Sequence, residues 1–213
     1  MKRTLYTKQQ QQFLKAVSHK VEQFFAIQPE VGGHEFDHAR RVAAYARQIA
    51  AAEQARSPWL CEMAGLLHDI GRVTEFFSKH GKTKSHHEWS YLMLREWFRE
   101  EHLFDRLTDA EKRELLYVVR YHWNNEADKY DTAWILRDAD KLDALGTVGL
   151  KRAADFYGND EKLWNIGLRF THEMTMWIRT PTTKRIMKER HLLEPITRYY
   201  QKFLRERIEP VEL

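Results

Sequence analysis

Helical spacing of apolar residues runs through almost all of this 213-residue chain and most limits what it can fold into. Apolar residues recur at one-turn intervals in residues 8–28 and again in residues 36–54, as on one face of a helix that packs on a core. Only nine glycines and five prolines occur, and we find no clear alternating valine- or isoleucine-rich runs between hairpin dipeptides. The pattern therefore predicts an all-α protein.

Local signals place several helix boundaries. Thr108 and Glu111 form a capping box ahead of an apolar run, which predicts a helix start. The tail at 182–208 has a helical pattern, and Pro195 either kinks it or starts a second piece. The remaining signals are possible caps at the starts of helices and glycines at their ends: Ser57 followed by Pro58, Asp131, Gly146 and Gly158.

Length and composition fit a single domain over residues 1–213. Cys61 has no partner within the chain and lies in an apolar helical pattern, which predicts a buried thiol in a reducing compartment. No window approaches the ~18 uninterrupted apolar residues of a membrane span, so we expect a cytoplasmic protein with no membrane partner. The net charge of +4 comes from 35 basic and 31 acidic residues without a basic block, so nucleic acid is not indicated as a partner.

The stretch AGLLHDIGR at residues 64–72 places a histidine and an aspartate side by side after a run of small and apolar residues. One interpretation is structural: His68 donates to a nearby carbonyl, and Asp69 caps a following turn. The other is that an imidazole and a carboxylate at the end of a core helix are presented to a metal ion. The pair alone does not decide between the two.

Further histidines and carboxylates stand at helical positions elsewhere in the chain. The motif GGHEFDHARRV sets His34 and His38 one turn apart. Histidine and carboxylate ligands suit divalent Mn, Fe, Mg, Co, Ni or Zn, and the lack of cysteine pairs argues against a closed structural zinc site. The other candidates lie in SHHEWS, RYHWNNE and RDADKLDALG, and they are His86, His87, His122, Asp138, Asp140 and Asp143.

Three blocks, HEFDHARRV, AGLLHDIG and RDADKLDALG, resemble in their order and spacing the HD superfamily of metal-dependent phosphohydrolases. The resemblance spans about residues 30–158, and it implies a compact multi-helix bundle with the metal site between core helices. An N-terminal helix at about 8–28 and C-terminal helices at about 160–208 are expected to pack on this HD core. The ligand pattern of the family maps onto His38, His68, Asp69 and Asp140.

More narrowly, the first and last blocks are similar to small stand-alone bacterial HD hydrolases, some of which are nucleotide pyrophosphohydrolases. This sequence departs from their pattern with Glu35 in place of an aspartate and Lys141 in place of a frequent arginine. By the resemblance, Asp69 binds the metal and helps to orient or deprotonate the attacking water. Lys141 and Arg41 are candidates for contact with phosphate or for support of a ligand.

The resemblance leaves open whether one ion binds or two. Binuclear HD members have additional histidines between the HD pair and the last aspartate, where this chain has His86 and His122. If both are ligands, two ions bind and Asp69 bridges them. His87 is the alternative to His86.

Three residues have expected supporting roles. We expect His34 to face the substrate or to support a ligand, and Asp143 to brace a helix or an arginine. Stacking of a nucleotide base on Trp123, next to His122, is a further hypothesis.

The function indicated first is a divalent-metal-dependent phosphohydrolase that uses metal-activated water on a nucleotide or another small phosphorylated metabolite. Cleavage of a nucleoside triphosphate to a monophosphate and pyrophosphate is one such activity, and cyclic-nucleotide phosphodiester cleavage is another. A di-iron oxygenase of the HD fold would use the full six-ligand set and O₂. A non-catalytic alternative is a metal-stabilised module whose basic tail binds nucleic acid or a protein. The oligomeric state has no signal in the sequence.

Overall fold

A computed structural model describes residues 5–28, 36–77, 83–158, 161–199 and 201 of the chain. In these ranges all regular secondary structure is helical, which confirms the all-α prediction. Short 3₁₀ helices at His102–Arg106 and Thr175–Trp177 and a helical segment at 194–199 accompany the main helices. The main helices are α1 (Lys8–Ala26), α2 (Phe36–Ala52), α3 (Pro58–Leu67), α4 (Arg72–Phe77), α5 (His86–Glu100), α6 (Asp109–Tyr121), α7 (Asp131–Asp143), α8 (Gly146–Tyr157), α9 (Glu161–Met174) and α10 (Pro181–Glu189).

The core lies where α2, α3 and α7 pack together. Apolar side chains from each of them are fully buried, among them Val42, Leu67 and Leu136. Phe13 of α1 and Ile186 of α10 belong to the same apolar cluster. Since α2, α3 and α7 also carry the candidate ligands, the hydrophobic core fixes the relative positions of these ligands.

Several predicted boundaries are confirmed. The capping box of α6 is present, with the Glu111 amide donating to Thr108 Oγ1 at 3.3 Å and the Thr108 amide donating to Glu111 Oε2 at 2.8 Å. Gly158 ends α8 with a φ of 56°, a conformation that glycine adopts without steric cost. Pro195 lies in the first turn of the segment at 194–199, so of the two alternatives it starts a second piece.

Three local predictions are wrong. α3 begins at Pro58 as predicted, but the Ser57 hydroxyl does not cap it, since the Leu60 amide donates to the Ser57 carbonyl oxygen at 3.0 Å instead. Asp131 is the first residue of α7 and not its cap; its Oδ2 instead accepts from the Arg56 amide at 2.7 Å. Gly146 does not end α7, which stops at Asp143, but begins α8 with a φ of 70°.

Gly71 allows the turn after the His-Asp pair to lie directly against α5. A Cβ at this position would stand 2.2 Å from the Ser90 amide nitrogen and 2.4 Å from the His86 carbonyl oxygen. The Gly71 amide donates to Ser90 Oγ at 2.8 Å. This close approach brings the start of α5, and with it His86, to the position of Asp69.

Cys61 is buried in α3, as predicted, and burial raises the pKa of its thiol to about 12. Its Sγ lies 3.7 Å from Thr132 Oγ1. The thiol therefore stays protonated and acts as a small apolar side chain. Among the described residues, no helix has the length and apolarity that a membrane crossing requires.

Candidate metal centre

Five helices or their ends bring imidazoles and carboxylates to one place inside the bundle. His38 comes from the first turn of α2, and His68 and Asp69 follow the end of α3. His86 begins α5, His122 follows the end of α6, and Asp140 lies in α7. The structure thus brings together the four ligands and the two additional histidines that the resemblance implies, and we call these six residues the His-Asp cluster.

One half of the cluster surrounds Asp69 Oδ2. This oxygen lies 3.6 Å from His38 Nε2 and 3.7 Å from His68 Nε2. Asp140 Oδ1 lies 3.5 Å and 3.7 Å from the same two nitrogens. The two imidazoles and two carboxylates thus face a common point.

The other half surrounds Asp69 Oδ1, which lies 3.6 Å from His86 Nε2 and 3.7 Å from His122 Nε2. All these separations are longer than a hydrogen bond. They are close to the distance of about 3.0–3.4 Å between two ligand atoms that bind one ion at about 2.1 Å. The two groups His38–His68–Asp69 and Asp69–His86–His122 each have the spacing needed to hold an ion, and Asp69 belongs to both.

Hydrogen bonds on the opposite ring nitrogen orient three of these imidazoles. Nδ1 of His68 lies 2.9 Å from the Gly65 carbonyl oxygen, and Nδ1 of His122 lies 2.7 Å from that of Val119. Nδ1 of His38 lies 2.8 Å from Asp143 Oδ2. Carbonyl and carboxylate oxygens only accept, so Nδ1 carries a proton in each ring, and Nε2 is the nitrogen that faces the cluster and can bind a metal when the ring is neutral.

Glu75 supports the fourth imidazole. Its Oε1 accepts from the His86 amide at 3.0 Å, and its Oε2 lies 3.4 Å from His86 Nδ1. His87 has a different environment: its Nε2 bonds to Ser85 Oγ, and its ring stacks on Trp123 with the centroids 5.3 Å apart. Of the two histidines left open by the sequence, His86 faces Asp69.

Two buried atoms of the cluster have no hydrogen-bond partner within the described residues. They are His68 Nε2 and Asp69 Oδ1, on side chains that are 0% and 3% exposed. An unsatisfied buried polar atom costs about 1–3 kcal/mol, and more on a charged group. Nitrogen and oxygen lone pairs that converge in this way fit a divalent cation.

The charges of the cluster favour a cation as well. Burial alone would raise the pKa of Asp69, but Arg72 and His68 hold it well below its usual range. Burial would also raise the pKa of Asp140, but the neighbouring imidazoles of His68 and His38 outweigh it and lower this pKa. Both carboxylates are therefore ionised at neutral pH.

The buried imidazoles differ in charge. Burial alone would lower the pKa of His68, but the carboxylates of Asp69 and Asp140 outweigh it and raise this pKa to about 9. Burial and the neighbouring charge of His68 lower the pKa of His122 to about 3. His122 is thus neutral at physiological pH, the form that binds a metal, while His68 must release a proton to do so.

Asp143 supports the cluster through its contact with Nδ1 of His38. It is 2% exposed and, besides His38, accepts from Arg41 Nε at 2.7 Å and from Arg152 Nη1 at 2.9 Å. Burial opposes ionisation, but these partners keep the pKa of Asp143 low. Arg41 lines a different groove, of about 640 Å³, and within the described residues it contacts the cluster through Asp143.

A cavity of about 310 Å³ opens onto the cluster. His38, Asp69 and Asp140 lie on its floor. The remaining lining includes three cationic side chains, Arg72, Lys141 and Arg152, and a wall from α8 and α9. A small anion that enters the cavity therefore meets positive side chains next to the ligand atoms.

Of the three cationic side chains that line this cavity, Lys141 is the one whose described hydrogen-bond partners are neutral. Its Nζ donates to Asn125 Oδ1 at 2.9 Å and to the Trp177 carbonyl oxygen at 3.4 Å, both neutral partners. Burial lowers its pKa. In the described part of the chain it forms no salt bridge, whereas Arg72 pairs with Asp69 and Glu75.

Sequence reasoning missed Glu75, Arg72 and Arg152. The spacing of Asp69, Arg72 and Glu75 by three residues would have placed them on one helix face, but a solvated charged face has the same spacing. Arg152 gave no signal, since it belongs to α8, beyond the recognised motifs. His34 lies outside the described residues.

The fold and the His-Asp cluster together define an all-helical protein with a candidate divalent-metal centre. The family model of the HD domain matches residues 36–145, so the chain belongs to the HD domain family. Every helix that contributes to the cluster lies in this range. No curated protein sequence matches the chain.

Solved structures resemble this fold over nearly its whole length. YpgQ from Bacillus subtilis in complex with ADP has a TM-score of 0.66 at 19% identity, covering 96% of this chain and 99% of YpgQ. A predicted HD superfamily hydrolase from an uncultured Thermotogales bacterium has a TM-score of 0.62 at 23% identity, with 91% and 92% covered. An HD-superfamily hydrolase from Bacillus thuringiensis has 0.63 at 20%, with 94% and 100% covered. At these identities the likeness shows the fold alone.

Replacing Asp143 tests whether the brace on His38 matters for metal binding. We expect Asp143→Asn to weaken Mn²⁺ binding by about 10- to 100-fold, because His38 Nδ1 loses its charged acceptor. Calorimetric titration with Mn²⁺ measures the change. Asp37→Asn, an exposed carboxylate in the same helix as His38, is the matched control. Equal affinity in both variants would contradict the role of Asp143, provided that both melt near the wild-type temperature.

The neighbouring histidines His86 and His87 provide a test for the second ion. With two ions bound, His86→Gln should reduce the manganese content from two equivalents to one, because only His86 faces Asp69. His87→Gln should leave the content unchanged. Elemental analysis after equilibrium dialysis measures it. One equivalent in the wild type, or equal losses in both variants, would count against a second ion at this position.

Proposed function

We propose that this protein is a divalent-metal-dependent phosphohydrolase of the HD family that acts on a small phosphorylated metabolite. The observation that carries the proposal is the convergence of unsatisfied nitrogen and oxygen atoms around Asp69, on the floor of a cavity that also contains Lys141. A metal centre next to a cation that forms no salt bridge in the described part of the chain suits a substrate with phosphate oxygens.

We assign the first ion to His38, His68, Asp69 and Asp140. A second ion would be held by Asp69, His86 and His122. A divalent ion bound there lowers the pKa of a coordinated water and polarises the phosphorus centre. The nitrogen and oxygen ligands suit Mn²⁺, Fe²⁺, Co²⁺, Ni²⁺, Zn²⁺ or Mg²⁺ without distinguishing among them.

Three side chains act on the substrate or the water in this proposal. Lys141 binds the phosphate, because its ammonium group is already oriented by Asn125 and by the Trp177 carbonyl oxygen. Asp69 orients the attacking water; its low pKa makes it a poor proton acceptor, which favours orientation over deprotonation. Arg41 supports the site only through Asp143, since it lies outside the cavity.

A nucleotide is the substrate class that we favour within this proposal. YpgQ, which shares the fold, has been crystallised with ADP. Nucleoside triphosphate pyrophosphohydrolysis is the first activity to test, and cyclic-nucleotide phosphodiester cleavage is the alternative. The products distinguish them, because only the former releases pyrophosphate.

The decisive variant for this proposal is Asp69→Asn, which keeps the size of the side chain and removes the charge shared by both halves of the cluster. We expect it to lower hydrolysis by at least about 100-fold. Mass spectrometry of the products from pooled nucleoside triphosphates, monophosphates and cyclic nucleotides with Mn²⁺ measures the loss. Asp37→Asn is the control and should retain activity.

Full activity of Asp69→Asn, or of wild-type protein in excess chelator, would overturn the proposal. An absence of hydrolysis combined with two equivalents of bound iron would favour the di-iron oxygenase, which needs all six ligands of the cluster. An absence of both would favour a non-catalytic, metal-stabilised module.

A further inference from the structure

The cavity above the His-Asp cluster has an aromatic wall that the metal centre does not use. Phe156 and Tyr157 of α8 and Phe170 and Met174 of α9 line it. The cationic side chains Arg72 and Lys141 and the carboxylates come from within residues 36–145, but the aromatic wall lies beyond that range. The family part of the chain thus contributes most of the charged lining, and the part that follows contributes the aromatic wall and Arg152.

Close packing between α8 and α9 holds this wall in place. A Cβ at Gly167 would lie 2.4 Å from the ring of Tyr157, so the backbone of α9 rests directly on that ring. The rings of Phe156 and Tyr157 have centroids 5.0 Å apart at an interplanar angle of 83°. A glycine at this contact allows α9 to approach α8, and Phe170 of α9 lines the cavity.

Phe170 is a large apolar side chain that is 67% exposed. An exposed aromatic ring beside a cationic pocket is suited to a ligand that has both a flat ring and phosphate groups. Besides Arg152, which pairs with Asp143, the polar side-chain atoms of the wall are the hydroxyl groups of Tyr157 and Thr171. Such a wall binds a ring by stacking, with little discrimination between one base and another.

We propose that the α8–α9 wall is the binding site for the base of a nucleotide, with Phe170 as the residue that determines the preference for ring-bearing phosphates. The inference rests on the proposed function and states where the base of the proposed nucleotide substrate binds. The phosphates point to Lys141, and the base lies against Phe170 and Phe156. Trp123 is not part of this site, because its ring stacks on His87 and does not line the cavity.

The test compares ADP with inorganic pyrophosphate, which has a diphosphate but no ring. Calorimetry with wild-type protein in the presence of Mn²⁺ should show tighter binding of ADP. Phe170→Ala should weaken ADP binding about tenfold and leave pyrophosphate binding unchanged, because only the stacking contact is lost. Phe170→Leu, which keeps an apolar side chain but no ring, should weaken ADP binding nearly as much.

Ile166→Ala is the matched control, since Ile166 is an exposed apolar residue of the same helix that does not line the cavity. It should change neither affinity. An equal loss in Ile166→Ala and Phe170→Ala would show that the exposed face of α9 as a whole matters, and would overturn the proposal. So would equal effects of Phe170→Ala on ADP and pyrophosphate.

Hydrolysis assays separate the failure of this inference from that of the proposed function. If wild-type protein hydrolyses ATP and tripolyphosphate equally well and Phe170→Ala changes neither rate, the phosphohydrolase proposal stands and the base site does not. If wild-type protein neither binds nor hydrolyses any of these phosphates, both proposals are wrong. If Phe170→Ala lowers kcat/KM for ATP alone, both are supported.

Discussion

The carboxylate of Asp69 is the group around which the rest of this structure is organised. It is buried, it is ionised, and four imidazoles direct Nε2 towards its two oxygens at 3.6–3.7 Å. A charged group in this position is costly unless it has a partner of opposite charge. The surrounding helices supply that partner in part through Arg72, and a divalent cation would supply the rest.

The fold orients the four imidazoles around this carboxylate by placing an oxygen acceptor near Nδ1 of each ring. Gly65, Val119 and Asp143 each offer an oxygen to Nδ1 of one histidine, and Glu75 lies 3.4 Å from Nδ1 of the fourth. Gly65, Val119 and Asp143 belong to α3, α6 and α7, which also contribute residues to the apolar core. The geometry of the cluster is therefore set by core packing, and a change in the packing of α2, α3 or α7 would move the ligands.

The helical class was predictable from the sequence, because apolar spacing is a local feature. The resemblance to the HD superfamily named His38, His68, Asp69 and Asp140 as ligands and left the second set, His86 or His87 with His122, open. Supporting residues such as Glu75 and Arg152 were not predictable, since their role depends on which helices meet in space. The choice of His86 over His87 also required the structure, because the two are adjacent in the chain and only the orientation of α5 shows that His86 faces Asp69. The wall formed by α8 and α9 was missed for the same reason. Whether the cluster residues are the ligands in solution stays a prediction.

The most direct test of the account is a crystal structure with Mn²⁺, with the metal located by anomalous scattering. We predict a manganese peak in direct contact with Asp69, at about 2.0–2.3 Å from a carboxylate oxygen, with Nε2 of His38 and His68 and an oxygen of Asp140 as the other protein contacts. A second peak beside His86 and His122 would establish the binuclear form. Hydrolytically active crystals with no manganese at Asp69, or with manganese bound only elsewhere, would contradict it.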